Sequence, residues 1–424
     1  MTRRRHSASA SPRSLPFENA RITVARLATP VKEQLMLSAN AVPRQGGQGM
    51  NLSHMIESLG GLFDLAVFCR AGQTGKPTRY IPSPGWSNLL GRIPILRRKR
   101  DWLGLLSEMH FDRTVCRNLG SARYFQGTTG QCLESLAAAR AKGCFTILDA
   151  VTLHGDFYKL AMDRECTLLG AAPIQHSLMH RRVLAEYDRA DAIRVMSQLA
   201  RQTFLERGFA AERIFVAPPH FDIARFPTAE FRGSRFTISF VGMLEPAKGF
   251  HYLIEAFRKL NRPDAELILW GNTGTRPLQR YVREQRTACP AIQVRPDSVS
   301  QIGYEKVYGI SSVLVHPSLA DGFGYAVGEA MASGIPVITT TATGASQWIV
   351  DGVNGYIVPP RDVDAIRDRL EYLMDHPSRL QELGQAARET MAKLTIEHFQ
   401  QCYLSGLAAC GAGRTTETCQ TLPQ

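Results

Sequence analysis

The sequence predicts an α/β protein of two Rossmann-like, doubly wound domains that face each other across a cleft. Three observations predict it. The chain has 424 residues, more than one core of ordinary size holds, since domains commonly run to about 100–200 residues. The order strand, glycine turn, helix, strand occurs twice, first near residue 34 and again near residue 236. Stretches of helical period separate the apolar runs, which makes the sheets parallel.

In the first half, Gln34-Leu35-Met36-Leu37-Ser38-Ala39 reads as a buried strand, followed by a glycine-rich loop, Arg44 to Gly49. A helix follows, with Met50, Leu52, Met55, Ile56 and Leu59 on its apolar stripe. Asp64 to Phe68 is the next strand, and Cys144 to Leu148 another, with helices at 131–141 and 156–169 around it. Ala190–Val195 and Ile214–Ala217 are later strands, and Pro218, Pro219 and Pro227 mark a linker. The second half opens on Phe236–Val241, turns at Gly242, and continues into a helix carrying Phe250, Leu253, Ile254 and Phe257 on one face. Glu266–Trp270, Ser312–Val315 and Pro336–Thr339 are its further strands. The expected units are a disordered basic tail (1–20), an N-terminal Rossmann-like domain (21–225) and a C-terminal Rossmann-like domain (226–395). A last helix (396–411) packs back on the first domain, before a tail at 412–424.

Composition narrows the function classes. Hydrophobic residues make up 44% and charged residues 21%, a globular balance. The net charge of +12 lies in the first half: residues 1–200 hold 27 Lys and Arg against 15 Asp and Glu, while 201–424 hold 23 of each. A basic half beside a neutral half suggests different partners, with nucleic acid, an acidic substrate and an anionic membrane surface all compatible. The run Leu89 to Leu106, with Arg97-Arg98-Lys99-Arg100 beside Trp102, is the segment suited to a membrane surface and equally to a solvated basic face. Nine cysteines without a CxxC pair argue against a disulfide framework or a zinc site and for a reducing compartment. No apolar run approaches the roughly 18–20 residues of a membrane span. The N-terminal MTRRRHSASASPRS lacks a secretory apolar stretch; its composition fits a basic tail and is shared by transit peptides.

The stretch from Val315 to Val337 carries the chemistry. A strand ends at His316, a loop with Gly322 and Gly324 follows, and a helix starts near Tyr325. Unpaired N–H groups and a positive dipole end make such a helix start an anion site suited to a diphosphate. The two glycines let a ligand approach the backbone. Glu329, about one turn along, is placed to accept from ribose hydroxyls, and Asp321 in the loop to hold sugar hydroxyls. Taken singly, these acids read as an ordinary loop acid and a dipole-favoured helix acid; their shared context favours a site.

FVGMLEPAKGF, HPSLADGFGYAVGEAMASGIPVI and TGASQWIVDGVNGYIVPPRD, in this order from about 236 to 395, resemble the retaining glycosyltransferases of the group 1 type (family 4-like), which have the GT-B fold. The first half resembles them more loosely, through its glycine loop, Thr152-Leu153-His154-Gly155 and Glu186-Tyr187. The resemblance implies that Glu329 binds the donor ribose, and that Asp321 with Gly322 and the backbone of Phe323 and Gly324 holds the donor sugar. It implies that Lys248 pairs with the diphosphate, that Gly242 lines the donor site, and that Gly46 and Gly47 approach the phosphates across the cleft. His154 is then near the anomeric carbon, and His154, Lys248 and Asp321 form the catalytic set. The implied activity is metal-independent, retaining hexosyl transfer. A UDP- or GDP-sugar is co-substrate and no further cofactor acts. The acceptor is a glycan or lipid-linked molecule in polysaccharide or glycoconjugate synthesis. The implied location is cytoplasmic, peripheral on the inner membrane face through the basic half, with no nucleic-acid partner.

Four positions depart from the pattern. Asp321 stands for a usual Glu, Met243 for an Arg that shares the diphosphate charge, Gln347 for a Glu, and His220 for a glycine. Arg276 is a candidate substitute for the missing cation. Two rivals remain: a nucleotide-sugar epimerase on the same fold, which needs no acceptor, and a non-catalytic sugar-nucleotide binder.

Overall fold

The computed structural model describes residues 32–85, 100–171, 177–226, 228, 235–296 and 302–411. The basic tail, the run Leu89–Lys99, His176, Pro227 and the tail from 412 lie outside these. Residues 33–424 form one compact unit, and every strand and helix named below belongs to it.

That unit contains two parallel sheets. The first has strands β1 (Gln34–Ser38), β2 (Asp64–Cys69), β3 (Thr78–Tyr80), β4 (Tyr124–Thr128), β5 (Phe145–Ala150), β6 (Ala192–Val195) and β7 (Ile214–Val216), in the order β3-β2-β1-β4-β5-β6-β7. The second has β8 (Phe236–Val241), β9 (Ala265–Trp270), β10 (Ile292–Arg295), β11 (Val313–His316), β12 (Val337–Thr340) and β13 (Tyr356–Val358), in the order β10-β9-β8-β11-β12-β13. Each order reverses once, at β1/β4 and at β8/β11, where Leu35 pairs with Tyr124 and Val313 with Ile238. Open parallel sheets bind ligands beyond the carboxyl ends of the strands at such a reversal.

Helices cover both faces of each sheet, so the central strands are buried on two sides and read as apolar runs. In the first lobe they are α1 (Gly46–Leu59), α2 (Arg100–Asn118), α3 (Leu133–Ala141), α4 (Gly155–Leu168), α5 (Ser177–Arg189) and α6 (Gln198–Leu205). In the second they are α7 (Phe250–Leu260), α8 (Arg276–Ala288), α9 (Tyr304–Tyr308), α10 (Tyr325–Ala332), α11 (Val363–Asp375) and α12 (Ser378–Met391). The last helix, α13 (Ile396–Ala409), returns to the first lobe, where Phe399, Tyr403 and Leu407 pack with Leu52, Met55 and Phe215. Burying a large apolar side chain contributes roughly 1.5–3 kcal/mol, so this one stripe is a substantial part of that core face.

Local chemistry fixes the boundaries that matter. Gly249 precedes α7 at φ +68°, and a Cβ there would lie 2.0 Å from the Pro317 carbonyl oxygen, so only glycine fits. Ser197 caps α6 by accepting from the Ala200 N–H at 3.1 Å. The glycines expected as a loop before α1 are instead its first turn, beginning at Gly46. The chain doubles back there, the Arg44 N–H donating to the Gly49 carbonyl at 3.0 Å, and a Cβ on Gly49 would lie 2.1 Å from the Val42 oxygen. β4 was not anticipated, although it lies beside β1 at the sheet centre. Its sequence, Tyr-Phe-Gln-Gly-Thr, breaks the apolar run; Gln126 is buried and accepts from the Tyr403 hydroxyl, and Gly127 makes room for Cys132.

Candidate functional site

The loop after β11 carries most of the constellation. His316 ends the strand, buried, and its Nε2 lies 2.9 Å from an Asp321 carboxylate oxygen, while its Nδ1 has no partner among the described residues. Lys248, from the 3-10 turn Pro246–Lys248 after β8, donates to the same oxygen. The second carboxylate oxygen of Asp321 faces the Phe323 N–H at 3.4 Å. Burial pushes the Asp321 carboxyl up, but Lys248 and the His316 hydrogen bond outweigh it and hold the group far below its usual range. Burial pushes the His316 imidazole down from its ordinary value. A negative charge and its counter-cation are thus preset at one point of a largely buried wall.

Gly324 follows at φ +90° and caps α10, so the N–H groups of Tyr325 and Ala326 precede its first intrahelical bond. Phe323 is buried and stacks on Phe221, with their centroids 5.8 Å apart. Gly242, at φ +142°, closes β8 on the same edge. Glu329 is the fifth residue of α10, in its second turn rather than its first. It is buried and accepts the Tyr308 hydroxyl at 2.7 Å; burial pushes its carboxyl up to about 7. Lys248, Asp321, Gly322, Phe323, Gly324, Gly242 and Glu329 thus share the carboxyl edge of the second sheet.

The first-lobe candidates stand differently. His154 is not at a strand end: β5 stops at Ala150, and His154 is the N-cap of α4, its Nδ1 accepting from the Asp156 N–H at 3.3 Å. Its ring is buried against Tyr187, Phe204 and Phe209, and burial lowers its pKa to about 4. The segment before it does reach the loop: a Cβ on Gly322 would lie 2.5 Å from the Val151 oxygen, and Leu319 packs in the same core as Leu153. Gly46 and Gly47 have open space where a Cβ would project.

Contacts between the lobes were not legible in the sequence. Ser197, besides capping α6, donates through Oγ to the Gly322 carbonyl at 2.7 Å. Gln347 accepts the Gln198 N–H at 2.8 Å, which gives the substituted residue a task a carboxylate could also do. The buried Glu165 of α4 accepts from His251 Nε2 at 2.9 Å, Tyr252 Oη at 2.8 Å and Arg361 Nε at 2.8 Å, all from the second lobe. His220 fills the linker: its Nδ1 is 3.0 Å from Ser58 Oγ and 3.3 Å from His54 Nδ1, and its Nε2 is 3.5 Å from Glu57. Met243 is exposed, and Arg276 is exposed at the start of α8.

The buried acids and histidines set an expected pH profile. Burial raises Glu329 and Glu108 to about 7 and Glu186 to about 8, so their contribution to stability is lost as pH rises from the ordinary carboxylate range through those values. Burial lowers His54 to about 3 and His154 to about 4, so theirs is lost as pH falls below the ordinary histidine value. The thermal midpoint should therefore peak at roughly pH 5–6 and decline toward pH 8. Calorimetry across this range checks it, and Glu329→Gln should flatten the alkaline decline; a midpoint still rising at pH 8 contradicts it.

Two doubly wound parallel sheets with opposed switch points define the GT-B glycosyltransferase fold. Residues 225–390, in the second lobe, match the family model of the glycosyl transferases group 1. The chain is 27% identical over 280 residues to the D-inositol 3-phosphate glycosyltransferase of Nocardia farcinica, a match covering 58% of this chain and 60% of that protein. It is 30% identical over 160 residues to the capsular polysaccharide biosynthesis glycosyltransferase CapM of Staphylococcus aureus, covering 36% and 40%. The chain thus spans less than two thirds of the length of these curated relatives. Among solved structures, HepE of Anabaena in complex with UDP-glucose superposes with a TM-score of 0.65 at 17% identity, covering 89% of this chain and all of that one. Sucrose-phosphate synthase from Thermosynechococcus elongatus does so with a TM-score of 0.68 at 17% identity, with the same coverage.

Proposed function

We propose that the chain transfers a hexose from a nucleoside-diphosphate sugar to a glycan or lipid-linked acceptor, with retention of anomeric configuration and without a metal ion. The observation that carries the reading is Lys248 paired with buried Asp321 beside the start of α10, with Glu329 one turn further on. On donor binding, the diphosphate takes Lys248 and the N–H groups at the start of α10. Negative charge grows on the departing diphosphate as the glycosidic bond breaks, and these preorganised groups stabilise it most at that moment. Asp321 then accepts from sugar hydroxyls, and Glu329 from the ribose. The fold likeness to a protein solved with UDP-glucose supports a uridine donor, and the similarity to a capsule enzyme supports a role in polysaccharide synthesis. Placement on the inner membrane face is part of the same proposal and rests on the basic first half.

The test is a thermal-shift screen with UDP, GDP and their sugars, followed by NMR of the product. Saturable stabilisation by a nucleoside diphosphate is expected, since a ligand that binds only the native state raises its stability in proportion to RT ln(1 + [L]/Kd). The product should keep the donor's anomeric configuration. An altered nucleotide sugar formed without acceptor would make the protein an epimerase instead.

A further inference from the structure

Arg194 is the largest fully buried side chain among the described residues, and no step of the proposed transfer uses it. It lies on β6. Its Nη1 donates to Asp149 Oδ1 at 2.8 Å and to Asn51 Oδ1 at 3.1 Å, and its Nε to the Ala217 carbonyl at 3.0 Å. Asn51 Nδ2 donates to the other Asp149 oxygen at 2.6 Å. The Asn51 amide is therefore gripped at both ends, which fixes its orientation: the oxygen faces the guanidinium and the nitrogen faces the carboxylate. A carbonyl oxygen has two lone pairs, so one remains. The Tyr325 hydroxyl of the second lobe takes it, at 3.2 Å.

Tyr325 is the first residue of α10. Ala217 is where the chain leaves the first sheet for the second lobe, and the Arg194 guanidinium lies 5.6 Å over the ring of Phe399, on the helix that returns. One guanidinium thus touches both crossings between the lobes and, through one amide, the helix start proposed to hold the diphosphate. A fully buried charge tolerates little displacement, because any lost partner leaves it uncompensated. We infer that the chain Arg194–Asn51–Tyr325 sets the angle of α10 against the first lobe, making Asn51 and Tyr325 positioning residues for sugar transfer. The inference rests on the proposed donor site.

Tyr325→Phe deletes one oxygen from a ring that keeps its neighbours His54 and Phe323. The nucleotide sits on the second lobe, so UDP affinity should stay within about twofold, while kcat should fall roughly 3–10-fold, the equivalent of one hydrogen bond's net contribution. In an Asn51→Ala background the same change should cost nothing further, because the interaction is already gone. Should Asn51→Ala not fold, Tyr325→Phe decides the matter alone. Unchanged kcat in Tyr325→Phe overturns the inference, and so does a large loss of UDP affinity, which would make Tyr325 a donor contact. A wild-type protein that binds no nucleotide would overturn the donor site itself, a different outcome.

Discussion

Replacing Lys248 by alanine is expected to lower sugar transfer by about 10²–10³-fold, the range seen when one preorganised group facing developing negative charge is removed. Lys248 is the cation paired with Asp321 on this wall, and exposed Met243 supplies no second charge. The variant also leaves the Asp321 carboxylate with His316 and the Phe323 N–H but without its lysine cation. Its buried charge then repels the diphosphate, so nucleotide affinity should fall together with kcat. Glu329→Ala should act differently: it removes the proposed acceptor for ribose hydroxyls and frees the Tyr308 hydroxyl, weakening UDP binding with less effect on the chemical step. Steady-state kinetics with calorimetric UDP binding separates the two. Near-normal turnover in both variants would defeat the site.

The second large effect is expected at Gly322. A Cβ there would stand 2.5 Å from the Val151 oxygen and 3.0 Å from Thr152 Cα, atoms of the other lobe's backbone that no rotamer change can move. Gly322→Ala must therefore push the Asp321–Phe323 loop off the first lobe, and the Ser197 Oγ bond to the Gly322 carbonyl goes with it. A shift of about 1 Å in a reacting group can cost on the order of 10²-fold, and a loss of that size in kcat is expected. The circular-dichroism spectrum should be unchanged, because the strain falls between lobes and not within a core. Wild-type kcat in this variant would mean that the lobes do not meet along this loop during turnover.

How much of this was legible in the sequence depends on the range of the interaction. β8 runs from Phe236 to Val241, β11 ends at His316 and α10 starts at Tyr325, all as the sequence predicts, because apolar strands and a glycine before a helix are local signals. β4 was missed because Gln126, whose partner Tyr403 is distant in sequence, and Gly127, which makes room for Cys132, interrupt its apolar run. Arg194 falls inside the expected strand Ala190–Val195 and Asp149 just after Cys144–Leu148, and no local signal marks either; their burial depends on Asn51 and Ala217, which only the folded sheet brings near. The cross-lobe contacts of Glu165, Ser197 and Tyr325 were invisible for the same reason: those partners lie in the other lobe. His220 was noticed only as a departure, and its partners explain why a large side chain is accommodated there.

The return of α13 to the first lobe bears on how the chain is made. The ribosome finishes β7 at Val216 but does not reach Ile396 until 180 residues later. At about 5–20 residues per second, that is roughly 10–40 s. Throughout that interval, the side of the first sheet that Phe399, Tyr403 and Leu407 will cover stays bare. The nascent polypeptide must emerge with an oily surface open to chaperones and to other chains, and its first-made half reaches its final form only after the second has been synthesised.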